Sequence, residues 1–414
     1  MKIIVSLFLI VFSLFILKAQ CPTGTLTINS QSQIDQFIID YPNCQEINAS
    51  IRILNAPSVT NLNGFQNLTS INGLLEIYNC SNLTDITGLS NLERINDDFR
   101  LDSTGVTMIE NNFPKLMHIA GKLHIDNENL IKIDDFKNLV NCNLVEIIGN
   151  INLNQLMGFD NLDNSTVRIE SNNIEFIDAF QNVSKMQRLN ISNNTDIFLN
   201  ISPLYNLLEI SSSLSLNMRS HSLDWLPNLT SINFGLSINI FELNDISGLS
   251  NLNCINGLIY ITNSNLNSLT GLQNINSESI TSINLLNNSN LSSCSLPNIC
   301  SFISQGGFTT LINNEQGCNS VEEILESCSM SIDSHELNSK INIYPNPVKN
   351  DLNISLKDNS LKVNKISLYD LSGKLVNEFE NQSKLNLSFY PSGNYVIVLD
   401  TDKGFISKKI TIAK

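Results

Sequence analysis

The sequence predicts a mainly β fold, in which a long solenoid of parallel strands is followed by a small antiparallel β-sandwich. The first observation is a repeat of about 24 residues through the middle of the chain, and the second is a change to short alternating strands after residue 340. Only 15% of the 414 residues are charged, and Asn, Ser and Thr take their place, which is typical of a turn-rich β protein.

The charge of the chain is strongly negative and unevenly distributed. The 24 Lys and Arg residues against 39 Asp and Glu give a formal charge of −15, which would repel a phosphate backbone or an anionic lipid surface. We therefore expect no nucleic-acid partner. Residues 341–414 carry a net +3 and residues 1–340 a net −18, which predicts two modules with different surroundings.

The first twenty residues have the pattern of a signal peptide that is removed on export. Lys2 precedes an apolar run from Ile3 to Leu17, which is short for a membrane span. Cys21 next to the predicted cleavage point leaves a lipid-modified N-terminus as an alternative. Because no later segment is long and apolar, we expect no transmembrane segment in the mature chain.

The repeat follows the pattern N-L-x-x-I-x-G-x-L-x-I. The clearest copies are Asn67–Ile77, Lys115–Ile125, Asn228–Ile238 and Asn251–Ile261. The L-x-I core can be followed through eleven coils from Ile51 to Ile283, with possible terminal coils at Leu26 and near Leu311. Its period-two alternation predicts a strand with apolar residues facing inward. One coil buries too few side chains to offset the entropy of ordering it, so the coils must stack as a solenoid.

A polar residue two positions past each strand is predicted to point inward at a corner of the coil. An amide there would satisfy turn backbone groups and stack on its counterpart in the next coil, which favours a structural role over a binding role. These asparagines are Asn55, Asn79, Asn127, Asn193, Asn263 and Asn287.

On these residues the repeat resembles the receptor L-domain and leucine-rich-repeat solenoids. The resemblance covers roughly residues 21–329 and implies parallel strands closed by terminal caps. In the common leucine-rich repeat the Asn follows the last strand Leu by three positions rather than two. We therefore favour an L-domain or β-helix shape over a helix-backed horseshoe.

Both ends of the solenoid have the pattern of a cap held by disulfides. At the start, a short amphipathic helix is predicted between Cys21 and Cys44, which are expected to pair. At the other end, Ser320–Glu323 is a capping box. Four further cysteines bracket it, and of their three possible pairings we favour the first with the third and the second with the fourth: Cys294, Cys300, Cys318 and Cys328.

The C-terminal module resembles the C-terminal sorting domain of the type IX secretion system of Bacteroidetes. Four motifs occur in the family's order at the end of the chain, and the residues that carry them are Tyr344, Pro345, Asn346, Pro347, Gly373, Lys374, Pro391, Gly393, Tyr395 and Lys409. The resemblance implies the type IX machinery as a partner, and release or surface attachment of the remainder. The predicted domains are a signal peptide (1–20), the solenoid (21–329), a linker (330–340) and the sorting domain (341–414).

The residue between the two inward positions of each strand faces outward, and this column is the candidate ligand-binding site. Opposite charges one coil apart predict cross-strand ion pairs. Their structural interpretation is a solvated, charge-paired face, and their functional interpretation is a recognition surface. The proposed site residues are Arg52, Glu76, Arg100, His124, Glu146, Arg168 and Tyr260.

No catalytic constellation is evident in the sequence, so we predict no enzymatic activity, no cofactor and no metal. The four histidines are scattered, and no nucleophile elbow or phosphate loop occurs. The function predicted from the sequence is a secreted or cell-surface repeat protein that serves as a binding or adhesion platform for an unknown extracellular glycan or protein. The alternative is a β-helix polysaccharide lyase or hydrolase.

Overall fold

The computed structural model of the chain describes residues 21–193, 196–328, 340–357, 361–371, 374–380, 382–401 and 404–414. The predicted signal peptide, Gly373 and all of the predicted linker except Lys340 lie outside the described residues. The predicted fold class is confirmed, since the chain is mainly β with a long parallel sheet and then a small antiparallel region. None of the described helices has the length and apolar character needed to cross a membrane.

Strands dominate the repeats. Helix α1 spans Gln31–Asp40. The strands up to residue 193 are β1 (Leu26–Ile28), β2 (Glu46–Ile47), β3 (Ile51–Leu54), β4 (Ser70–Ile71), β5 (Leu75–Cys80), β6 (Arg94–Ile95), β7 (Phe99–Thr104), β8 (Met108–Glu110), β9 (His118–Asp126), β10 (Lys132–Asp135), β11 (Asn141–Ile148), β12 (Gln155–Gly158), β13 (Thr166–Glu170), β14 (Phe176–Ala179), β15 (Lys185–Met186) and β16 (Arg188–Ser192).

The later coils have the same organisation. Their strands are β17 (Asn200–Ile201), β18 (Glu209–Ile210), β19 (Ser213–Arg219), β20 (Ser231–Ile232), β21 (Gly235–Phe241), β22 (Gly257–Thr262), β23 (Ile280–Leu286) and β24 (Phe308–Ile312). Helix α2 spans Pro297–Ser304, and residues 321–328 are also helical. Short 3-10 helices form at Asn63–Phe65, Thr87–Leu89, Ser247–Leu249 and Ser277–Ser279.

Thirteen strands form the main sheet, one from each predicted coil. Their order is β1-β3-β5-β7-β9-β11-β13-β16-β19-β21-β22-β23-β24, and every pair is parallel. Rows of shorter strands run beside it, namely β2-β4-β6 with the start of β9, β8-β10-β12-β14-β17 and β15-β18-β20. Successive coils are thus joined by backbone hydrogen bonds on more than one face.

Two compact units are distinguished, and each is described by itself. The first comprises the described residues up to Leu291 together with Gly307–Glu315, and the second comprises Ser292–Gly306 and the described residues from Gln316 onward. The domain boundaries predicted from the sequence stay a prediction.

Short 3-10 helices follow four of the main strands, namely β3, β5, β21 and β22. In one coil the Asp85 carboxylate accepts hydrogen bonds from the backbone and hydroxyl of Thr87, which starts a 3-10 turn. A Cβ on the next residue, Gly88, would lie 1.9 Å from the carbonyl oxygen of Leu62 in the preceding coil. Glycine is therefore required there because neighbouring coils approach at backbone distance.

An aromatic stack runs through the core of the middle coils. The ring centroids of Phe99 and Phe113 lie 5.2 Å apart, those of Phe113 and Phe136 5.1 Å, those of Phe136 and Phe159 5.0 Å, and those of Phe159 and Phe180 5.8 Å. The rings of these five residues are buried. The rings of Phe113, Phe136, Phe159 and Phe180 come from successive coils and join them by direct packing, while Phe99 lies in the same coil as Phe113.

The asparagine row is only partly inward, so the prediction for it was wrong in most coils. Asn127 and Asn193 are buried, but Asn55, Asn79 and Asn287 are exposed, and Asn263 is only partly buried. The reason is a positive φ of 49°, 53° and 56° at Asn55, Asn79 and Asn287, which turns the chain one residue early. The exposed side chains still stack as expected, since Asn79 Nδ2 donates to Asn55 Oδ1 at 2.8 Å.

Where the corner residue has a positive φ, the residue after it points inward instead. These inward polar residues form a buried ladder from coil to coil. Asn150 and Asn172 are fully buried, and the Asn150 amide donates to the carbonyl of Ile125 and to Asn172 Oδ1. Asn150 Oδ1 accepts from the backbone of Asn127. These buried amides satisfy backbone groups of neighbouring coils, which is the structural role that the sequence predicted for the row.

The N-terminal cap has the predicted form. Helix α1 presents Ile34 and Phe37 to the core, and the Phe37 ring lies 5.1 Å from that of Phe65 in an edge-to-face contact. The disulfide Cys21–Cys44 links the residues on either side of this helix. The first coil is therefore covered by an apolar helix face rather than by solvent.

In the second unit, disulfides Cys294–Cys318 and Cys300–Cys328 are present, which is the pairing that the sequence favoured. The capping box is formed in part, because the backbone of Glu323 donates to Ser320 Oγ at 3.2 Å. The remaining cysteines are free, and burial raises the pKa of the Cys142 thiol to about 11.

The C-terminal residues form two antiparallel sheets around one core. Their strands are β25 (Ile341–Tyr344), β26 (Asp351–Leu356), β27 (Val363–Asp370), β28 (Leu375–Glu380), β29 (Lys384–Asn386), β30 (Gly393–Thr401) and β31 (Gly404–Ile412). One sheet has the order β25-β26-β29 and the other β28-β27-β30-β31. Buried residues of both, such as Leu352 and Ile397, share one hydrophobic cluster.

We expect Phe136→Ala to lower the free energy of unfolding by about 3–5 kcal/mol, because it opens a cavity in the middle of the aromatic stack. Urea denaturation followed by circular dichroism measures this loss. Phe308→Ala is the control, since Phe308 is 68% exposed and should change stability by less than about 0.5 kcal/mol. Equal losses in the two variants would contradict the role given to the stack.

Candidate functional site

The predicted outward column is a straight row across the main sheet. Its members are in register on all thirteen strands, because the strands are parallel and the side chains alternate. The row consists of Thr27, Arg52, Glu76, Arg100, His124, Glu146, Arg168, Asn190, Ser215, Ser237, Tyr260, Asn284 and Thr310.

The first part of the row is held by ion pairs between neighbouring strands. Arg52 Nε lies 2.8 Å from Glu76 Oε2, and Arg100 Nη1 lies 3.7 Å from Glu76 Oε1. Both guanidinium groups are exposed to a similar degree, while the Glu76 side chain is largely buried between them. The alternation of charge from coil to coil thus forms the cross-strand pairs that the sequence predicted.

Glu146 is the centre of the second group of charges. Its carboxylate lies 3.1 Å from Lys122 Nζ, 3.1 Å from His124 Nδ1 and 2.6 Å from Arg168 Nη1, and the residue is only 6% exposed. Burial raises the pKa of this carboxyl, but the hydrogen bonds from Lys122 and His124 outweigh burial and hold the pKa below its usual range. Glu146 therefore remains ionised and fixes the positions of three basic side chains.

A second outward row lies two residues further along the strands. Arg100 pairs there with Asp102, and its guanidinium carbon stands 5.1 Å from the centre of the Tyr78 ring. Arg168 pairs in the same way with Glu170 at 2.9 Å. Arg100 and Arg168 therefore each bind acids in both rows, and the ion pairs of this half of the face form two groups, one around Glu76 and one around Glu146.

Asp102, His124 and Asp126 form a cluster that the sequence analysis missed. Each offers one ligand atom, and these atoms lie within 4.8 Å of one another. Burial, followed by the nearby charge of Asp102, raises the pKa of Asp126. The signal was present in the sequence, because extending the strand alternation by one step places Asp102 and Asp126 side by side on adjacent strands.

This cluster has the donor types that divalent metals use, with two carboxylates and one imidazole. His124 Nδ1 faces Glu146, and when it carries the proton the other ring nitrogen is left as an acceptor. However, Arg100 already neutralises Asp102 by a direct ion pair. A basic side chain of the chain itself thus already pairs with one of the two carboxylates. The absence of a bound metal stays a prediction.

The half of the face that follows Arg168 contains a groove. It lies over β16, β19, β21 and β22, has a volume of about 310 Å³, and is lined by Arg188, Asn190, Ser213, Leu214, Ser215, Phe234, Gly235, Ser237 and Leu258. None of these is among the site residues predicted from the sequence. Those are charged or aromatic members of the row, whereas the groove is defined by small residues between larger ones.

The structure divides the proposed site residues into two charged groups and one separate member. Those from Arg52 to Arg168 lie on six successive strands, with Arg52, Glu76 and Arg100 in one group of ion pairs and His124, Glu146 and Arg168 in the other. Tyr260 occupies the same row, but Asn190, Ser215 and Ser237 separate it from Arg168. Tyr260 therefore belongs to the surroundings of the groove rather than to either charged group.

The predicted sorting motif contributes structural contacts in the C-terminal sheets. Asn346 joins the first motif to β31, because its Nδ2 donates to the carbonyl of Lys409 at 3.0 Å and its Oδ1 accepts from the backbone of Thr411 at 2.8 Å. The Tyr395 hydroxyl donates to the carbonyl of Pro391 at 3.1 Å. Hydrogen bonds thus link the first motif to the last one, and join the two ends of the Pro391–Tyr395 motif to each other.

Comparison with known families agrees with both resemblances. Residues 43–113 match the family model of the Receptor L domain, and residues 342–413 match that of the Secretion system C-terminal sorting domain. No curated protein matches the chain. The C-terminal match implies export through the type IX secretion system, to the outer surface or the medium.

We expect Glu146→Gln to lower the free energy of unfolding by about 2 kcal/mol at pH 7, because three basic groups lose the negative carboxylate with which they all pair. A carboxyl whose pKa is lowered on folding stabilises the fold above its unfolded pKa, and this contribution is lost as the pH falls through the folded value. Urea titrations at pH 7 and pH 3 should therefore show a difference from the unsubstituted chain that shrinks in acid.

Glu209→Gln provides the matched control. Glu209 also pairs with a basic residue, Lys185, at 2.9 Å, but both side chains are more than one-third exposed. Exposed pairs contribute less than about 1 kcal/mol. A loss at Glu146 no larger than that at Glu209, or one that persists at pH 3, would rule out the central role of Glu146.

Proposed function

We propose that the chain is an exported, non-enzymatic repeat protein that binds an extracellular glycan or protein on the outer face of its main sheet. The observation that carries this proposal is the outward face itself, which presents two groups of ion-paired residues and one groove on thirteen strands in register. The Receptor L domain match at residues 43–113 supports a binding surface in the same repeats. Adhesion is the finer form of this proposal.

The main sheet is suited to binding because its inner strands are hydrogen-bonded to a neighbouring strand on both sides, which fixes the backbone that carries the outward side chains. Every inner strand of the row pairs with two parallel neighbours. Side chains that project from such a sheet lose little further entropy when a ligand arrives, and the ion pairs around Glu146 restrict them more. A preorganised surface of this kind favours recognition of a ligand with a fixed pattern of charges and hydroxyls.

Export is the second part of the proposal. The signal peptide pattern at residues 1–20 would bring the chain across the inner membrane, and the sorting domain would hand it to the type IX machinery. Removal of the sorting domain then leaves the repeats as the secreted or surface-attached form. A location outside the cell also agrees with three disulfides in one chain.

The Asp102–His124–Asp126 cluster favours a second candidate, a polysaccharide lyase or hydrolase. It combines a carboxyl of raised pKa with an imidazole, which are the groups that general acid–base catalysis requires. We rank this candidate lower because the Asp102 carboxylate is already engaged in an ion pair with Arg100. Incubation with neutral and acidic polysaccharides, followed by assay of new chain ends, separates the two candidates, and we expect no new ends from the unsubstituted chain or from Asp126→Asn.

Deletion of residues 341–414 should abolish export in a host that has the type IX system. The truncated chain is expected to accumulate in the periplasm, because the segment that matches the sorting family is gone. Immunoblots of periplasm, outer surface and medium measure the distribution. Export of the truncated chain at the level of the full chain would refute this part of the proposal.

Binding is tested with the full chain on glycan and extracellular-protein arrays. We expect at least one ligand at micromolar concentration, and its binding should weaken when the outer face is altered by Arg52→Ala or Phe234→Ala. Met108→Ala is the control, since Met108 is exposed but lies on β8, outside the main sheet. If neither array yields a ligand, the binding proposal fails.

A further inference from the structure

The groove on the outer face has a shape that follows from the sequence of four neighbouring strands. Ser213, Ser215 and Ser237 are small outward residues, and Gly235 has no side chain at all. Leu258 on one side and Arg188 with Asn190 on the other are larger. The floor is therefore a depression of about 310 Å³, at the lower end of the roughly 300–1,000 Å³ typical of small-molecule sites.

Phe234 forms an aromatic wall at the end of this depression. It is 71% exposed, whereas most apolar residues in the described part of the chain are buried. Its neighbours in the adjacent coils are Ser212 and Gly257, because Phe234 lies one residue before the paired residues Gly235 and Leu258. A Cβ on Gly257 would lie 2.2 Å from the carbonyl oxygen of Phe234, so glycine is required where the backbones of these two coils approach.

The other lining groups are polar and offer hydrogen bonds. The hydroxyls of Ser213, Ser215 and Ser237 have no hydrogen-bond partner among the described residues. Arg188 forms no ion pair with any residue in the described part of the chain, and its guanidinium reaches only Ser212 Oγ at 3.4 Å. By contrast, Arg52, Arg100 and Arg168 on the same face are all paired with acids.

We infer that this groove binds a neutral saccharide, with one sugar ring stacked on Phe234 and its hydroxyls bonded to the serine hydroxyls and to Arg188. A pyranose ring has an apolar face of C–H groups and an edge of hydroxyls, which matches an aromatic wall beside a polar floor. The C–H face is drawn to the negative face of an aromatic ring. The inference rests on the proposed function and specifies its ligand class and its place on the face.

Charge favours a neutral sugar over an acidic one. The chain carries a formal charge of −15, and Glu170 lies beside the groove, where it accepts a hydrogen bond from Asn190 at 2.6 Å. An acidic polysaccharide would be repelled over its whole length. Arg188 can instead serve as a fork of donors for two adjacent hydroxyls, since it has five N–H groups in a fixed plane.

The lining also favours a sugar over a protein segment. A protein hot spot needs a well-packed apolar pocket, and the groove has only Phe234 and Leu258 as apolar side chains on its surface. Its three serine hydroxyls would be left without partners under an apolar side chain, at a cost that hydroxyl-rich ligands avoid. A saccharide therefore matches the lining of the groove better than a protein segment does.

The test measures binding of the full chain to neutral and acidic glycans, using β-glucans, mannan and galactan against alginate and polygalacturonate. Isothermal titration calorimetry with oligosaccharides of the best binder gives the affinity. We expect Phe234→Ala to lower the affinity at least tenfold and Arg188→Gln to lower it severalfold. Phe308→Ala is the matched control, because Phe308 is equally exposed on the same sheet but lies outside the groove, and it should change affinity less than twofold.

Three results would overturn the inference, and they are distinct from failure of the proposed function. Binding of acidic glycans alone would contradict the ligand class. Binding of a neutral glycan with the same affinity in Phe234→Ala and Phe308→Ala would exclude the groove. Binding of an extracellular protein but of no glycan would remove the saccharide and leave the binding platform in place, whereas no ligand of either kind would remove both.

Discussion

The in-register hydrogen bonding between successive coils is the constraint on which the rest of the structure depends. A single coil has too little apolar surface to order itself, so each coil is stable only against its neighbours. Backbone pairing then fixes the register, and a shift by one residue would exchange the inward and outward side chains of a whole strand. The buried phenylalanine stack and the outward row exist because thirteen strands keep one register.

The sequence predicted the elements that repeat and missed those that vary between coils. The L-x-I pattern located the main strands and the outward row from Arg52 to Tyr260, because period-two alternation leaves one choice of face. It did not locate the corners, where Asn79 adopts a positive φ and Asn127 does not. Both residues occupy the same place in the repeat, and the difference depends on how the chain leaves the strand, which alternation does not encode.

The candidate sites show the same limit. The ion pairs around Glu146 could be predicted because opposite charges one coil apart meet on parallel strands. The Asp102–His124–Asp126 cluster required the alternation to be extended past the apolar core of the repeat. The groove could not be predicted from residue types, because Gly235 and the serines form it by their small size, and their neighbours become visible only when the register of four strands is known.

The row of outward side chains has a consequence for the valency of a ligand. Adjacent strands in a sheet are about 4.8 Å apart, so thirteen of them set out side chains at even intervals over roughly 55–60 Å. A long polymer that lies across this distance can contact several strands at once. Each weak contact then raises the effective concentration of the polymer at the neighbouring strand. A polymeric ligand of the proposed site would therefore bind more tightly than a short segment of the same polymer.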